Sequence, residues 1–169
     1  MSNNLVCIDS MICIWGIKKE SLPEQQHMIR KAEFFLSWLD DMGKKILIPS
    51  PVITEILTPI NDIEKRNLVM NIIDKNFIVG NYDAPAAIKG GEIAHKRNDW
   101  REIYTEGDEN LKNRFKFDTM ILAIAITKKV ETLYTEDKRL QIIAKEYLNV
   151  QSMPDIPFQL KLDIPDGEK

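Results

Sequence analysis

Four acidic residues stand beside apolar segments in a pattern that could carry out chemistry. Asp9 follows the apolar run Leu5–Ile8, and Glu55 lies in the segment SPVITEIL, which follows a second apolar run. Asp118 begins the apolar stretch DTMILAIAITKKV, and Asp137 follows a further short apolar run. If these runs are parallel strands, each acid lies at or just beyond the edge where such a sheet builds its sites. The four side chains are therefore candidates for one acidic cluster.

A cluster of four carboxylates requires a compensating positive charge, because neighbouring carboxylates raise each other's pKa. A divalent cation supplies that charge, and oxygen ligands without Cys or His favour Mg²⁺ or Mn²⁺ over zinc. One such ion, or two, would activate a water for hydrolysis of a phosphodiester. The pattern predicts Asp9, Glu55, Asp118 and Asp137 as catalytic residues and metal ligands. Taken singly, Asp9 is also typical of a residue that caps a turn, and Asp118 of an acid at a helix N-terminus.

Strands and helices alternate between these acids. The apolar runs predict strands over residues 5–8, 46–48, 77–79 and 132–134, with a short fifth strand over 150–152. Apolar residues at three- and four-residue steps predict helices over 21–41, 50–57, 63–74, 118–130 and 138–148. The segment 84–106 has helical character weakened by Gly90 and Gly91, and 107–116 is predicted to be a polar loop. This alternation predicts an α/β domain, with a central parallel β-sheet of four to five strands and helices on both faces.

Four blocks of the sequence, LVCIDSMICI, IPSPVITEIL, FKFDTMILAIAI and LYTEDKRL, resemble in order the acidic motifs of the PIN-domain family of metal-dependent nucleases. The resemblance extends from about residue 5 to residue 152. It implies a single PIN-like domain, with the four acids as metal ligands or groups that position water, and with Ser10 and Thr135 as supporting hydroxyls. It also implies ribonuclease activity with Mg²⁺ or Mn²⁺, and frequent homodimers. Met11 departs from the small polar residue often found there, and segment 88–115 is longer and more charged than in minimal members.

The resemblance leaves several functions open. The chain could be the toxin of a bacterial toxin–antitoxin pair, with an antitoxin protein as partner, or a stand-alone RNA-processing enzyme, and DNA is an alternative to RNA as substrate. A small-molecule phosphohydrolase is a second alternative, although the segment IDSM lacks the second acid of an Asp-x-Asp pair. A non-catalytic PIN-like module that binds RNA or protein is a third, although such modules typically lack one or more acids and all four are present here.

The formal net charge of −3 gives no overall positive field for nucleic-acid binding. Once a metal neutralises the four acids, the remaining charge is slightly positive, so a local basic rim is feasible. Trp100 and Tyr104 are candidates for stacking on unpaired bases. Acids interleave with the basic residues, however, which is also typical of an ordinary solvated surface. The candidates for phosphate contacts are Arg97, Arg101, Arg114 and Lys116.

Composition and length set the remaining expectations. The 169 residues, 44% hydrophobic and 29% charged, are typical of one globular domain. We expect a nuclease domain over residues 1–153 and a Pro- and acid-rich tail over 154–169. No apolar window is long enough to span a membrane, so the expected location is the cytoplasm. Cys7 and Cys13 lie in apolar surroundings and are expected to be small buried hydrophobic residues.

Overall fold

The strands of this chain pair into one parallel sheet in the computed structural model, which describes residues 4–104 and 111–156. The strand order is β3-β2-β1-β4-β5, so the first strand is central. Val6 lies opposite Ile46 on one side and opposite Thr132 on the other. This arrangement confirms the predicted parallel α/β sheet and includes the short fifth strand. The strands are β1 Leu5–Ile8, β2 Lys45–Pro49, β3 Ile78–Gly80, β4 Thr132–Tyr134 and β5 Val150–Gln151.

Helices connect the strands and flank the sheet. From β1 the chain moves to β2 and β3 on one side, and it then crosses to β4 and β5 on the other side. Because crossovers between parallel strands are right-handed, connections that run in opposite directions place their helices on opposite faces. A π-helix at Ile14–Lys18 follows α1, and a short 3₁₀ turn at Pro23–Gln25 precedes α2. The α-helices are α1 Ser10–Cys13, α2 Gln26–Asp41, α3 Ser50–Leu57, α4 Ile63–Asn76, α5 Ala84–Lys96, α6 Trp100–Ile103, α7 Leu111–Thr127 and α8 Lys138–Ala144.

The core is built around β1 and α7. The last three residues of β1 are buried, as is nearly every side chain of β2 and β4. In α7 the run Ile121–Ala125 is buried on consecutive positions, which is expected of a helix covered on most sides. Cys7 and Cys13 are free and buried, as their apolar surroundings predict. The buried central strand β1 therefore ends directly before Asp9.

The helix that carries Asp118 begins earlier than predicted. The residues from Leu111 are helical, so the part of the predicted loop that the structure describes is wrong, and Asp118 is the eighth residue of α7 rather than its first. The physical reason is an i, i+4 pattern that the polar composition of this segment conceals: Phe115 and Thr119 are both buried, α7 packs against α5, and Phe115 stacks on Trp100 of α6. Asp118 consequently lies in the interior of α7 and not at its N-terminus.

Other differences from the predicted elements are local. The chain is helical from Ser10 to Lys18, a segment for which no helix was predicted. The helix α5 runs through Gly90 and Gly91 without a break. Gly90 lies against Tyr82, where a Cβ atom would come within 2.6 Å of the phenol oxygen, so this contact accounts for the absence of a side chain at that position. The segment predicted as helix 138–148 is α-helical only to Ala144. None of these differences changes the strand order.

The predicted tail, residues 154–169, is described only as far as residue 156. Ile156 packs against the core, and Asp155 forms an ion pair of 2.7 Å with Lys31 of α2. Most of the predicted tail, residues 157–169, lies outside the described residues. Within the described ranges, every helix is too short or too polar to cross a lipid bilayer.

Candidate functional site

The strand order identifies one edge of the sheet as the natural place for a site. Strands β1 and β4 are neighbours, and the chain leaves them toward opposite faces of the sheet. In open α/β sheets, ligands bind outside the carboxyl ends of two such strands, where the helices that follow them diverge. Asp9 lies directly after β1, and Thr135 and Asp137 follow β4. Two of the four predicted acids are therefore placed at the switch point by the topology itself.

Asp9 is a buried carboxylate with well-defined partners. Its side chain is 3% exposed, and its Oδ1 atom accepts a hydrogen bond of 3.1 Å from the backbone N–H of Ile12, so it caps α1. Its Oδ2 atom accepts a short hydrogen bond from the hydroxyl of Thr135. Burial raises the pKa of Asp9 to about 6, although the hydrogen bonds from Thr135 and Ile12 act in the opposite direction. Asp137 contributes to the increase through charge repulsion.

Thr135 connects Asp9 to Asp137. Its side chain is fully buried, and its Oγ1 atom, besides donating to Asp9, accepts a hydrogen bond of 3.0 Å from the backbone N–H of Asp137. Asp137 caps α8 by accepting hydrogen bonds from the N–H groups of Arg139 at 2.8 Å and Leu140 at 3.4 Å. The Thr135 hydroxyl thus orients the carboxylate of Asp9 directly. It also fixes the backbone of the loop that carries Asp137.

Glu55 reaches the same region from α3, which packs against α1. Partial burial raises its pKa, while a hydrogen bond from the Ser10 side chain and the positive charge of Arg114 lower it, and Asp137 raises it further. Ser10 is the first residue of α1, so the helix that Asp9 caps also positions a hydroxyl against Glu55. Ser10 and Thr135 therefore each donate a hydrogen bond to one of the acids.

Asp118 is the most strongly perturbed acid of the group. Its Oδ2 atom accepts a hydrogen bond of 2.5 Å from the hydroxyl of Tyr104. Burial raises the pKa of Asp118 to about 8 despite that hydrogen bond, and Asp137, Glu55 and Asp9 each raise it further through repulsion. The pKa of Tyr104 is raised as well, chiefly by burial and then by the Asp118 charge, so its hydroxyl remains a donor at neutral pH. The mutual effects show that the acids share one electrostatic environment.

All four acids line one cleft of about 210 Å³. Arg114 lies at the same cleft, one helical turn before Asp118, and Ile121 follows on the same side of α7. The described chain also has a larger cleft of about 750 Å³ near the starts of β2 and β3, but it contains none of these acids and lies away from the switch point. The residues that line the acidic cleft are Asp9, Ser10, Met11, Glu55, Arg114, Asp118, Ile121, Asp137 and Leu140.

The cleft suits a hard cation by its donor set. Four carboxylates meet there with one arginine, and burial raises the pKa of three of them, with repulsion between the acids as a lesser cause. Oxygen donors of this kind bind Mg²⁺ or Mn²⁺. Within residues 4–104 and 111–156, no group of three or more such side chains already has the arrangement of a metal site. Hydrogen bonds from Thr135, Ser10 and Tyr104 hold the carboxylates of Asp9, Glu55 and Asp118.

The residues predicted to contact nucleic acid separate into different environments. Arg114 lines the acidic cleft, whereas Lys116 lines a groove between α5 and α7. Arg101 lies with its guanidinium 5.4 Å from the centre of the Trp100 ring. Arg97 is engaged inside the fold, with contacts of 3.3 Å to Asp99 and 3.2 Å to Glu146, and it donates to the carbonyl oxygen of Ile142. The structure thus brings one of the four to the acids.

The aromatic residues also differ in role from the prediction. Tyr104 is fully buried, so the prediction that it stacks on an unpaired base is wrong. Trp100 stacks on Phe115 at 5.3 Å between ring centres, and Tyr104 meets the same Phe115 edge-on at 5.7 Å. The contact of Tyr104 with Asp118 is the feature of the site that sequence reasoning missed. The spacing of Arg114 and Asp118, four residues apart, indicates that both side chains lie on the same side of a helix. This inference requires a helix that begins before Asp118.

The described structure is an α/β fold with an all-parallel sheet. Its candidate site is an acidic cleft in which four carboxylates meet. Neither a protein-family model nor a curated protein sequence matches the chain. Solved structures do match. VapBC2 from Rickettsia felis bound to a promoter DNA fragment matches over 89% of this chain and 99% of that chain, with a TM-score of 0.56 and 18% identity. DNA-bound VapBC from Salmonella typhimurium matches over 88% and 98%, with a TM-score of 0.53 and 16% identity.

At 16 to 18% sequence identity, the similarity to these solved structures shows a shared fold and nothing more. It agrees with the resemblance carried by the four sequence blocks and with the observed strand order, and the chain therefore has a PIN-like fold.

Proposed function

We propose that this chain is a divalent-metal-dependent nuclease that hydrolyses phosphodiester bonds in RNA. The observation that carries the proposal is the convergence of Asp9, Glu55, Asp118 and Asp137 on one small cleft at the switch point of a PIN-like sheet. These acids come from four separate segments of the chain. A structural role for each acid alone does not explain why all four meet.

The four carboxylates would hold Mg²⁺ or Mn²⁺. When bound, such an ion neutralises the carboxylates and lowers the pKa of a coordinated water, which supplies a nucleophile for phosphodiester hydrolysis. Thr135 and Ser10 would restrict the rotation of Asp9 and Glu55, so that fewer conformations are lost when the ligands gather. Arg114, at the same cleft, would bind a phosphate oxygen of the substrate.

The proposal extends to the biological setting. The similar solved structures are VapBC complexes on DNA, and the sequence blocks resemble PIN-domain toxins. We therefore propose that the chain acts as the toxin of a toxin–antitoxin pair, that it assembles as a homodimer, and that an antitoxin protein encoded by a neighbouring reading frame binds it. A stand-alone RNA-processing enzyme would have the same site without such a partner.

Cleavage of RNA tests the chemistry. Purified protein, with single-stranded and structured RNA as substrates, is expected to produce cleavage products with Mn²⁺ or Mg²⁺ and none with chelator. Asp9→Asn and Asp118→Asn are expected to abolish cleavage, because each removes one anionic ligand while nearly preserving shape. Asp74→Asn, at an exposed position on α4, is the matched control. Cleavage that persists in chelator, or that survives both substitutions, would contradict the proposal.

Expression in a bacterial host tests the setting. Induction of the chain alone is expected to arrest growth. Coexpression with the product of the adjacent reading frame is expected to restore growth and to yield a complex on gel filtration. Asp9→Asn is expected to remove the arrest without preventing the complex. Growth unaffected by the wild-type chain, with RNA cleavage intact in vitro, would favour an RNA-processing enzyme over a toxin.

A further inference from the structure

The short segment between α5 and α7 contacts the acidic site through Asp118. It contains α6 and ends, in the described part, at Tyr104, whose side chain is fully buried. The Tyr104 ring packs edge-on against Phe115 of α7, with 5.7 Å between ring centres. The guanidinium of Arg139 in α8 lies 5.8 Å from the centre of the same ring. Tyr104 therefore contacts α7, which carries Asp118, and α8, which follows Asp137.

The hydroxyl of Tyr104 donates a hydrogen bond of 2.5 Å to the Oδ2 atom of Asp118. A carboxylate has two oxygens, and this hydrogen bond uses one of them, so an ion can bind Oδ1 without displacing the tyrosine. A hydrogen bond from a fixed donor also restricts rotation of the carboxylate about its last torsion. Asp118 needs such support, since it projects from the interior of a helix and its backbone does not fix the carboxylate plane.

The ring contacts fix the donor in turn. Phe115 lies between Tyr104 and Trp100, and it stacks on Trp100 with an angle of 10° between the rings. Phe115 and Asp118 are three residues apart on α7, so the helix that carries the carboxylate also carries the surface on which the tyrosine rests. On the other side, the backbone N–H of Arg139 donates to Asp137, while its guanidinium lies over the Tyr104 ring.

We infer that Tyr104 is a positioning residue of the metal site: it holds Asp118 through Oδ2 so that Oδ1 is oriented to bind the divalent ion. This role depends on the proposed metal-dependent function. From the sequence, the segment that contains Trp100 and Tyr104 is predicted only to contact nucleic acid. Hydrogen bonds of this kind to metal ligands typically contribute a factor of 10 to 100 in metal affinity. A tyrosine that served packing alone would contribute through its ring, and loss of its hydroxyl would leave metal affinity unchanged.

Calorimetric titration with MnCl₂ separates these two roles. Tyr104→Phe keeps the ring contacts with Phe115 and removes the hydroxyl, and it is expected to weaken Mn²⁺ binding at least tenfold. Tyr147→Phe, at a half-buried position beyond α8, is the matched control and is expected to bind Mn²⁺ like the wild type. Circular dichroism and thermal unfolding in chelator check that each variant is folded. A folded Tyr104→Phe protein with wild-type affinity would overturn the inference.

The experiment distinguishes failure of the inference from failure of the proposed function. If the wild-type chain binds no Mn²⁺, the proposed metal site itself is wrong, and the inference falls with it. If the wild-type chain binds Mn²⁺ and Asp118→Asn does not, but Tyr104→Phe binds normally, only the positioning role is wrong. Weaker Mn²⁺ binding by Tyr104→Phe, together with loss of binding by Asp118→Asn, supports both the metal site and the positioning role of Tyr104.

A second measurement uses the wild-type chain and remains decisive if Tyr104→Phe does not fold. A buried phenol proton in a short hydrogen bond exchanges slowly and is expected to give a downfield proton resonance, which Asp118→Ala should remove. Saturation with Mg²⁺, which is diamagnetic, is expected to shift this resonance, because the ion withdraws charge from the acceptor carboxylate. A resonance that is absent in the wild type, or that Mg²⁺ leaves unchanged, would overturn the inference.

Discussion

Replacement of Asp118 by Asn is expected to stabilise the metal-free protein at pH 8. Burial and three neighbouring acids raise the pKa of Asp118 from 3.8 to about 8. Between these two pH values the folded chain binds more protons at this site than the unfolded chain does. The free energy of unfolding must therefore fall as pH rises through that window. Asn resembles the protonated acid in shape, can still accept the Tyr104 hydrogen bond, and cannot ionise.

The magnitude follows from the size of the pKa shift. Each pKa unit corresponds to about 1.4 kcal/mol, so a shift of this size sets an upper limit of about 5 kcal/mol on the destabilisation at pH 8. Asp118 lines an open cleft, and water that enters the cleft reduces the penalty for the ionised carboxylate. We therefore expect Asp118→Asn to gain about 2 to 3 kcal/mol over the wild type at pH 8 and little at pH 4.

Urea unfolding in the presence of chelator measures this difference. The wild type, Asp118→Asn and the exposed control Asp74→Asn are compared at pH 4, 6 and 8, with the slope of free energy against urea checked for constancy. The wild type and Asp74→Asn are expected to lose stability together as pH rises, and Asp118→Asn is expected to lose less. Saturating Mg²⁺ is expected to stabilise the wild type at pH 8 and to leave Asp118→Asn unaffected, because only a folded state with the intact site binds the ion.

Two results would refute this reasoning. Asp118→Asn with wild-type stability at pH 8 would mean that the carboxylate is not held in a charge-disfavouring environment. A wild-type chain whose stability rises from pH 4 to pH 8 in chelator would mean that the acids are compensated by protein groups alone, so that the electrostatic argument for a metal ion fails.

Four further substitutions test other parts of the structure. Thr135→Val removes a buried hydroxyl that donates to Asp9 and accepts from a backbone N–H, and it is expected to cost about 1 to 3 kcal/mol in urea unfolding; no loss would show that neither hydrogen bond matters to the fold. Arg114→Gln is expected to raise KM for RNA and to reduce the slope of log affinity against log salt by about 1, measured by filter binding; an unchanged slope would exclude a phosphate contact. Gly91→Ala is expected to stabilise the protein by about 0.5 to 1 kcal/mol, because no atom lies within 4 Å of the added methyl group. Gly90→Ala should gain less, because its methyl group meets the Tyr82 hydroxyl at 2.6 Å, and equal gains in thermal unfolding would contradict the contact.

The sheet could be predicted from the sequence because its signals are local. Four of the five strands are short apolar runs bounded by polar residues, and each lies within one or two residues of its predicted position. Parallel pairing follows from the helices between them. The convergence of Asp9 and Asp137 required only one additional step, because residues that end neighbouring parallel strands meet at the same edge.

The support of Asp118 could not be predicted in the same way, because it depends on contacts between distant elements. The buried phenol of Tyr104 stands in a charged segment that contains Arg101 and Glu102, and its composition resembles a solvated surface. Its ring packs on Phe115, a residue that the polar composition of 107–116 predicts to lie in a loop. With a helix that starts only at Asp118, no pattern in the sequence connects Tyr104 to Asp118.

Substitution by Asn separates two possible roles of the acids, helix capping and ion binding. Asp9 and Asp137 both cap helices, and Asn is about as good a cap as Asp. If capping were their whole role, replacement by Asn would leave both stability and activity nearly unchanged. If the acids gather to bind an ion, replacement relieves repulsion in the metal-free chain and removes a ligand from the active one. A variant that is more stable in chelator, no longer stabilised by Mg²⁺ and inactive on RNA is explained by the second role and not by the first.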